Sequence, residues 1–164
     1  SNGTSSVEMI GREAFLILEK ESSCLEIMEA RGLLEPPVAA LAAQKRTDED
    51  LAKLRVIYDR LVQLADQGEF DQYFDVDKEF HLALVAAAGN SLLASVLTPL
   101  IKTMEQKLYR EFTRDYYFKN HIGLKEVAGL HGKILKAIEA TDPNLTSQKM
   151  EEHWDKMRTA VLAG

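Results

Sequence analysis

The sequence predicts an all-α fold, an antiparallel bundle of about six helices. Three observations carry this. Breakers are few, with nine Gly and four Pro in 164 residues. The segments between them repeat apolar residues at three- and four-residue steps, and no convincing strand alternation occurs. The intervals between segments are short, two to five residues, which makes consecutive helices antiparallel neighbours.

Each element has its own signals. Residues 1–20 are the least regular, with Ala14-Phe15-Leu16-Ile17-Leu18 as a short apolar run in an arm, a strand or a helical turn. A first helix reads from about Ser22, with Ser22 or Ser23 as its cap, through Leu25, Met28, Leu33, Val38 and Leu41 to Gln44. Pro36-Pro37 lies inside it and is expected to kink or split it, because proline lacks a donor and clashes with the preceding turn. Thr47-Asp48-Glu49-Asp50 is a cap with acids in the first turn, and it opens a second helix. Its stripe is Leu51, Leu54, Ile57, Tyr58, Leu61 and Leu64, and Gly68 ends it. A third helix spans about Asp71 to Ala88 and stops at Gly89. Asn90 or Ser91 caps a long fourth helix, reaching about Tyr117 with Pro99 inside. A fifth runs from about Asn120 to Ala140. Asp142-Pro143 opens the sixth, with proline at the first helical position, where no donor is needed.

Composition narrows the function classes. The chain has 20 Lys+Arg against 26 Asp+Glu, a net charge of −6, and no basic run exceeds two residues. That is not the footprint of a nucleic-acid binder. The single cysteine, Cys24, excludes an intrachain disulfide framework and a Cys-built zinc site. No apolar stretch reaches the ~18 residues of a membrane helix, and no signal-peptide pattern opens the chain. A soluble, cytoplasmic, reducing setting is expected, with no membrane partner.

The informative residues are polar ones placed on apolar stripes. Phe74, Asp77, His81, Leu84 and Ala88 share a face of the third helix, so Asp77 and His81 project one turn apart. His131 sits mid-stripe on the fifth helix, among Leu124, Ala128, Leu135 and Ile138. His153 does so on the sixth, among Met150, Met157 and Ala160. A lone histidine on an apolar face is usually a core residue satisfied by a hydrogen bond. Three of the four histidines in one small bundle, with a buried carboxylate that is costly without a counter-charge, make a shared divalent metal an equal alternative. His121 reads as solvent-facing. Glu-x-x-His pairs, His-Glu-x-x-His, a phosphate loop, a dinucleotide fingerprint and a Gly-x-Ser-x-Gly elbow are absent.

Further stretches carry a resemblance. They are Glu29-Ala30-Arg31-Gly32-Leu33-Leu34-Glu35, Leu41-Ala42-Ala43, Asp77-Lys78-Glu79-Phe80-His81 and Ala87-Ala88-Gly89-Asn90. His131 with Ile134-Leu135 and Ala137-Ile138, then Asp142 and Met150-Glu151-Glu152-His153, complete them. In this order the chain resembles the FCD-type ligand-binding domain of the FadR subfamily of GntR transcriptional regulators. The resemblance covers residues 22–164, leaving 1–21 as a linker or arm remnant. It implies an antiparallel bundle of six or seven helices with a buried metal and effector cavity. It implies that Asp77, His81, His131 and His153 bind one divalent metal, zinc foremost, with nickel, manganese or iron as alternatives. It also implies a small carboxylate effector beside the metal and a homodimer. Operator DNA would be reached only through an N-terminal winged helix-turn-helix that is not in this sequence. Two departures are Leu130, where the family often has an acid, and Pro36-Pro37.

Effector contacts are assigned to Arg31, Asn90, Arg110 and Arg114. A guanidinium can hold a carboxylate in two-point fashion. Arg31 has the competing role of pairing with Glu35 or Glu29, Asn90 that of a helix cap, and Arg110 and Arg114 that of solvated charges. Tyr116-Tyr117-Phe118 reads as packing or a helix end. Two rival functions are a metalloenzyme, for which no general base stands out and no catalytic residue is assigned, and a purely structural dimerising bundle.

Overall fold

The computed structural model describes residues 21–119 and 121–162, with side chains from 24 to 158. The apolar run of residues 14–18 lies outside the described residues. Among them, seven α-helices and one 3-10 turn occur and no strand. They are α1 (Glu21–Lys45), α2 (Asp48–Gln67), α3 (Phe70–Ala87), α4 (Ser91–Lys102), the 3-10 turn Thr103–Glu105, α5 (Lys107–Lys119), α6 (Leu124–Glu139) and α7 (Pro143–Leu162).

The helices close on one another as a ring. α1 packs along α7, α7 on α6, α6 on α2, α2 on α3 and α3 back on α1. The core inside this ring includes Leu54, Leu61, Phe80, Leu84, Val127, Ile134, Ile138 and Met150, all fully buried. Burial of each large apolar side chain contributes about 1.5–3 kcal/mol, which is why the packed ring outweighs local propensity. α4, the 3-10 turn and α5 lie across α3 and α1 and cover one part of the interior.

Local chemistry sets the boundaries of α2. The Thr47 hydroxyl accepts from the Asp50 amide at 3.1 Å, and the Asp50 carboxylate accepts from the Thr47 amide at 2.9 Å. Gly68 ends the helix in the left-handed conformation, φ 70°, which suits a residue without a Cβ. Pro143 begins α7, and Asp142 caps it by accepting from the Leu145 amide at 3.0 Å.

Five expectations are corrected. α1 is already helical at Glu21, so Ser22 and Ser23 lie in its first turn. It also runs unbroken through Pro36 and Pro37. Packing along α7 and α3 holds it despite the lost donors. Its buried stripe is Cys24, Ile27, Met28, Arg31, Glu35, Val38, Ala39 and Ala42, whereas Leu25 and Leu33 face outward, 40% and 64% exposed. The single long fourth helix is two helices. After Lys102 the chain tightens into the 3-10 turn, and Gln106 is extended. The Thr103 hydroxyl donates to the Leu100 carbonyl at 2.6 Å, the kind of side-chain bond that competes with helix continuation. The fifth predicted helix starts four residues late, at Leu124, because His121 is left-handed (φ 52°) and Gly123 is extended. His121 is exposed, as expected.

Candidate metal centre

The polar stripes converge. α3 supplies Asp77 and His81, α6 supplies His131 and α7 supplies His153, and each is at most 5% exposed. Ring centroids stand 5.4 Å apart for His81 and His131, 4.8 Å for His131 and His153, and 5.3 Å for His81 and His153. One ligand atom from each histidine falls within 4.8 Å of the others.

The hydrogen bonds orient these rings. His131 Nδ1–H donates to the Val127 carbonyl on its own helix at 2.8 Å, which turns Nε2 inward. His81 Nδ1–H donates to Glu35 Oε1 on α1, which turns its Nε2 inward as well. The two Nε2 atoms are 3.3 Å apart, and they lie 2.7 Å (His131) and 3.2 Å (His81) from Asp77 Oδ1. With each ring engaged at Nδ1, two Nε2 atoms and a carboxylate oxygen face one point. His153 Nδ1 is buried with no hydrogen-bond partner.

This donor set fits a divalent cation. Two nitrogens each about 2.0–2.1 Å from a tetrahedral zinc stand about 3.3 Å apart, the separation seen here. Three nitrogens and one oxygen, without thiolate, also suit nickel, manganese or iron.

Without a metal the cluster is strongly polarised. Burial works against the Asp77 carboxylate, yet His131 and His81 hold its pKa well below the usual range. Burial works against charged His81, but Glu35 and Asp77 outweigh it and raise its pKa to about 9. His153 is pushed well below the imidazole range by burial and by its two histidine neighbours. Glu35 is fully buried, and Arg31 and His81 keep its pKa low against that burial.

A small cavity adjoins the cluster. About 30 Å³ is open to the centres of water molecules, room for two or three at ~10–15 Å³ each. Asp77, His81 and His153 form one wall, and Arg31, Met104, Tyr109, Thr113, Tyr117 and Trp154 contribute others. The 3-10 break matters here, since it turns Met104 inward and starts α5 so that Tyr109, Thr113 and Tyr117 face the cavity.

The four residues assigned to the effector are placed differently. Arg31 lines the cavity, 1% exposed, over the Trp154 ring at 4.8 Å, and its Nε donates to Glu35 Oε2 at 2.7 Å. Its Nη2 is buried without a hydrogen-bond partner. Arg110 pairs with Asp75 and lies over Phe74, behind the cavity wall. Arg114 pairs with Asp71 and borders a separate surface cleft with Phe70 and Phe118. Asn90 is exposed and caps α4, accepting from the Leu93 amide at 3.0 Å. Tyr116 and Tyr117 are buried, while Phe118 is 82% exposed.

Sequence reasoning missed Glu35 as a site residue. The available signal was its spacing of four from Arg31 and seven from Met28 on one helix face.

Comparison with known proteins agrees with this architecture. The FCD domain profile matches residues 26–156. The HTH-type transcriptional regulator LutR of Bacillus subtilis is 29% identical over 148 residues, covering 90% of this chain and 66% of that protein. The Uxu operon regulator of Haemophilus influenzae is 28% identical over 142 residues, covering 84% of this chain and 50% of that protein. The chain thus spans about half to two thirds of the length of these curated relatives. In fold it is similar to Streptococcus agalactiae GntR, with a TM-score of 0.71 and 23% identity, covering 97% of this chain and 72% of that one. The profile match takes in all seven helices at least in part and every residue of the buried cluster, and by it the chain belongs to the FCD domain family.

Proposed function

We propose that this chain is the effector-sensing domain of a GntR-family transcriptional regulator. It holds one divalent metal, zinc foremost, through Asp77, His81, His131 and His153, and binds a small carboxylate in the adjoining cavity. The single observation that carries this is the inward convergence of two Nε2 atoms on Asp77 Oδ1, with the His153 ring 4.8 Å from that of His131 and 5.3 Å from that of His81 and its Nδ1 lacking a partner. When bound, the metal supplies an electrophilic anchor for a carboxylate oxygen. Arg31 is the protein's own anion contact, since its unpartnered Nη2 belongs to a residue lining the cavity. Tyr117 and Trp154 exclude water around it.

The relatives are transcriptional regulators, and the family is not enzymatic. Operator contact is assigned to a part of the regulator outside this domain, consistent with the longer relatives and with the charge of −6. Ligand binding across α3, α6, α7 and α1 would change their relative placement and so the spacing of DNA-binding heads. A homodimer is the expected assembly. Its candidate face is α4, where Lys102 is the only charge and Leu92 is 64% exposed. The setting is cytoplasmic, and no described helix is long and apolar enough to cross a membrane.

Metal analysis of the purified domain tests the site. One equivalent per chain is expected in the wild type, with loss in His131→Ala and His153→Ala. Full occupancy in both variants would refute the assignment. The purely structural alternative predicts that a chelator leaves the melting temperature unchanged.

A further inference from the structure

Glu35 has no counterpart in the ligand set, yet it is among the most deeply buried charges of the molecule. It lies on α1, while the ligands lie on α3, α6 and α7. One carboxylate oxygen accepts from His81 Nδ1–H, and the other accepts from Arg31 Nε at 2.7 Å. Arg31 is itself pinned against Trp154, and its Nη2 has no partner. The chain of contacts therefore runs from the metal-facing Nε2 of His81, through Glu35, to a guanidinium on the cavity wall.

We infer that Glu35 is a positioning residue for the metal ligand His81, and that Arg31 holds it in place. The reason is tautomeric. A carboxylate only accepts, so it fixes the ring proton on Nδ1 and leaves the Nε2 lone pair for a cation. Carboxylates behind ligating histidines orient the ring and raise its basicity, and their loss commonly lowers metal affinity 10–100-fold. His131 takes its orientation from the Val127 carbonyl, so the two inward Nε2 atoms are set by different devices. His81 lines the cavity itself and is also tied through Glu35 to Arg31 on the same wall, so an anion bound there would act on the guanidinium that braces a metal ligand. This inference rests on the metal site proposed above.

The test is Glu35→Gln, read by zinc affinity in competition with a chromophoric chelator and by nitrogen NMR of the histidine rings in zinc-loaded protein. Gln has the same shape but carries both a donor and an acceptor, so it no longer fixes the Nδ1–H tautomer. Zinc affinity is expected to fall at least tenfold, with the His81 ring signals showing a mixed or reversed tautomer. Leaving Arg31 buried and unpaired can also destabilise the fold. The double variant Arg31→Met/Glu35→Gln removes that charge. It should recover the melting temperature of the metal-free protein without recovering zinc affinity. Wild-type affinity in Glu35→Gln, or recovery of affinity in the double variant, would overturn the role of Glu35. Absence of zinc binding by the wild type would instead overturn the metal site itself.

Discussion

His131 is pinned by the Val127 carbonyl at Nδ1 and faced by the Asp77 carboxylate at Nε2. His81 is held in the same way, by Glu35 at Nδ1 and Asp77 at Nε2, and against burial these carboxylates raise its pKa to about 9. The sign follows directly. A folded pKa above the free imidazole value of about 6.5 gives stability that is fully present below that value and lost as pH rises through 9. Metal-free protein should therefore melt at lower temperature at pH 9.5 than at pH 6.5. Asp77 and Glu35 act in the opposite sense, their stabilisation being lost as pH falls below the ordinary carboxylate range. Zinc must displace the His81 proton, so at pH 7.5 its binding should release about one proton and tighten as pH rises towards 9. Calorimetry in buffers of different ionisation heat checks this, and proton-free uptake would count against it. The convergence of Asp77, His81, His131 and His153 was legible in the sequence because each is a polar residue within an apolar stripe, while their joint assignment to a metal came from the family resemblance. Glu35 was not, because the leucines of α1 drew the predicted core to the wrong face, and a salt-bridged pair looks the same in sequence whether buried or solvated.

At the scale of elements, each site residue depends on a helix–helix contact. Gly132 follows His131, and a Cβ there would lie 2.5 Å from the Tyr58 hydroxyl of α2. Gly132→Ala should cost about 1–3 kcal/mol through overpacking, measured by denaturant unfolding. In a Tyr58→Ala background the penalty should shrink, which isolates the contact by a double-mutant cycle. Thr47→Ala removes one half of a reciprocal cap and should cost about 1 kcal/mol without altering metal affinity. Helix starts with capping chemistry were legible at α2, α4 and α7. The break between α4 and α5 was not, because Thr103–Gln106 contains neither glycine nor proline. The prolines of α1 misled in the opposite direction, since burial against α7 and α3 outweighs what they remove.

At the scale of the whole molecule, one cation tied to α3, α6 and α7, with α1 behind it, would join four of the five helices of the ring. Metal that binds only the folded state stabilises by mass action, about 2.7 kcal/mol at a hundredfold excess over the dissociation constant. Chelation should accordingly lower the melting temperature of wild type but not of His131→Ala. A homodimer through α4 should dissociate in Leu92→Asp, read by sedimentation, with metal content unchanged. The fold class was legible from periodicity alone, and the acidic balance, a net charge of −6, from composition. The cavity was expected only through the family resemblance, and most of its lining was not legible, because its walls come from five separate elements whose side chains meet only after folding. The most direct test of the central claim is anomalous diffraction at the metal edge from crystals of the domain as purified. The account predicts one peak per chain, within coordinating distance of Asp77, His81, His131 and His153. A metal peak elsewhere on the chain, with these four side chains still hydrogen-bonded only to one another, would contradict it.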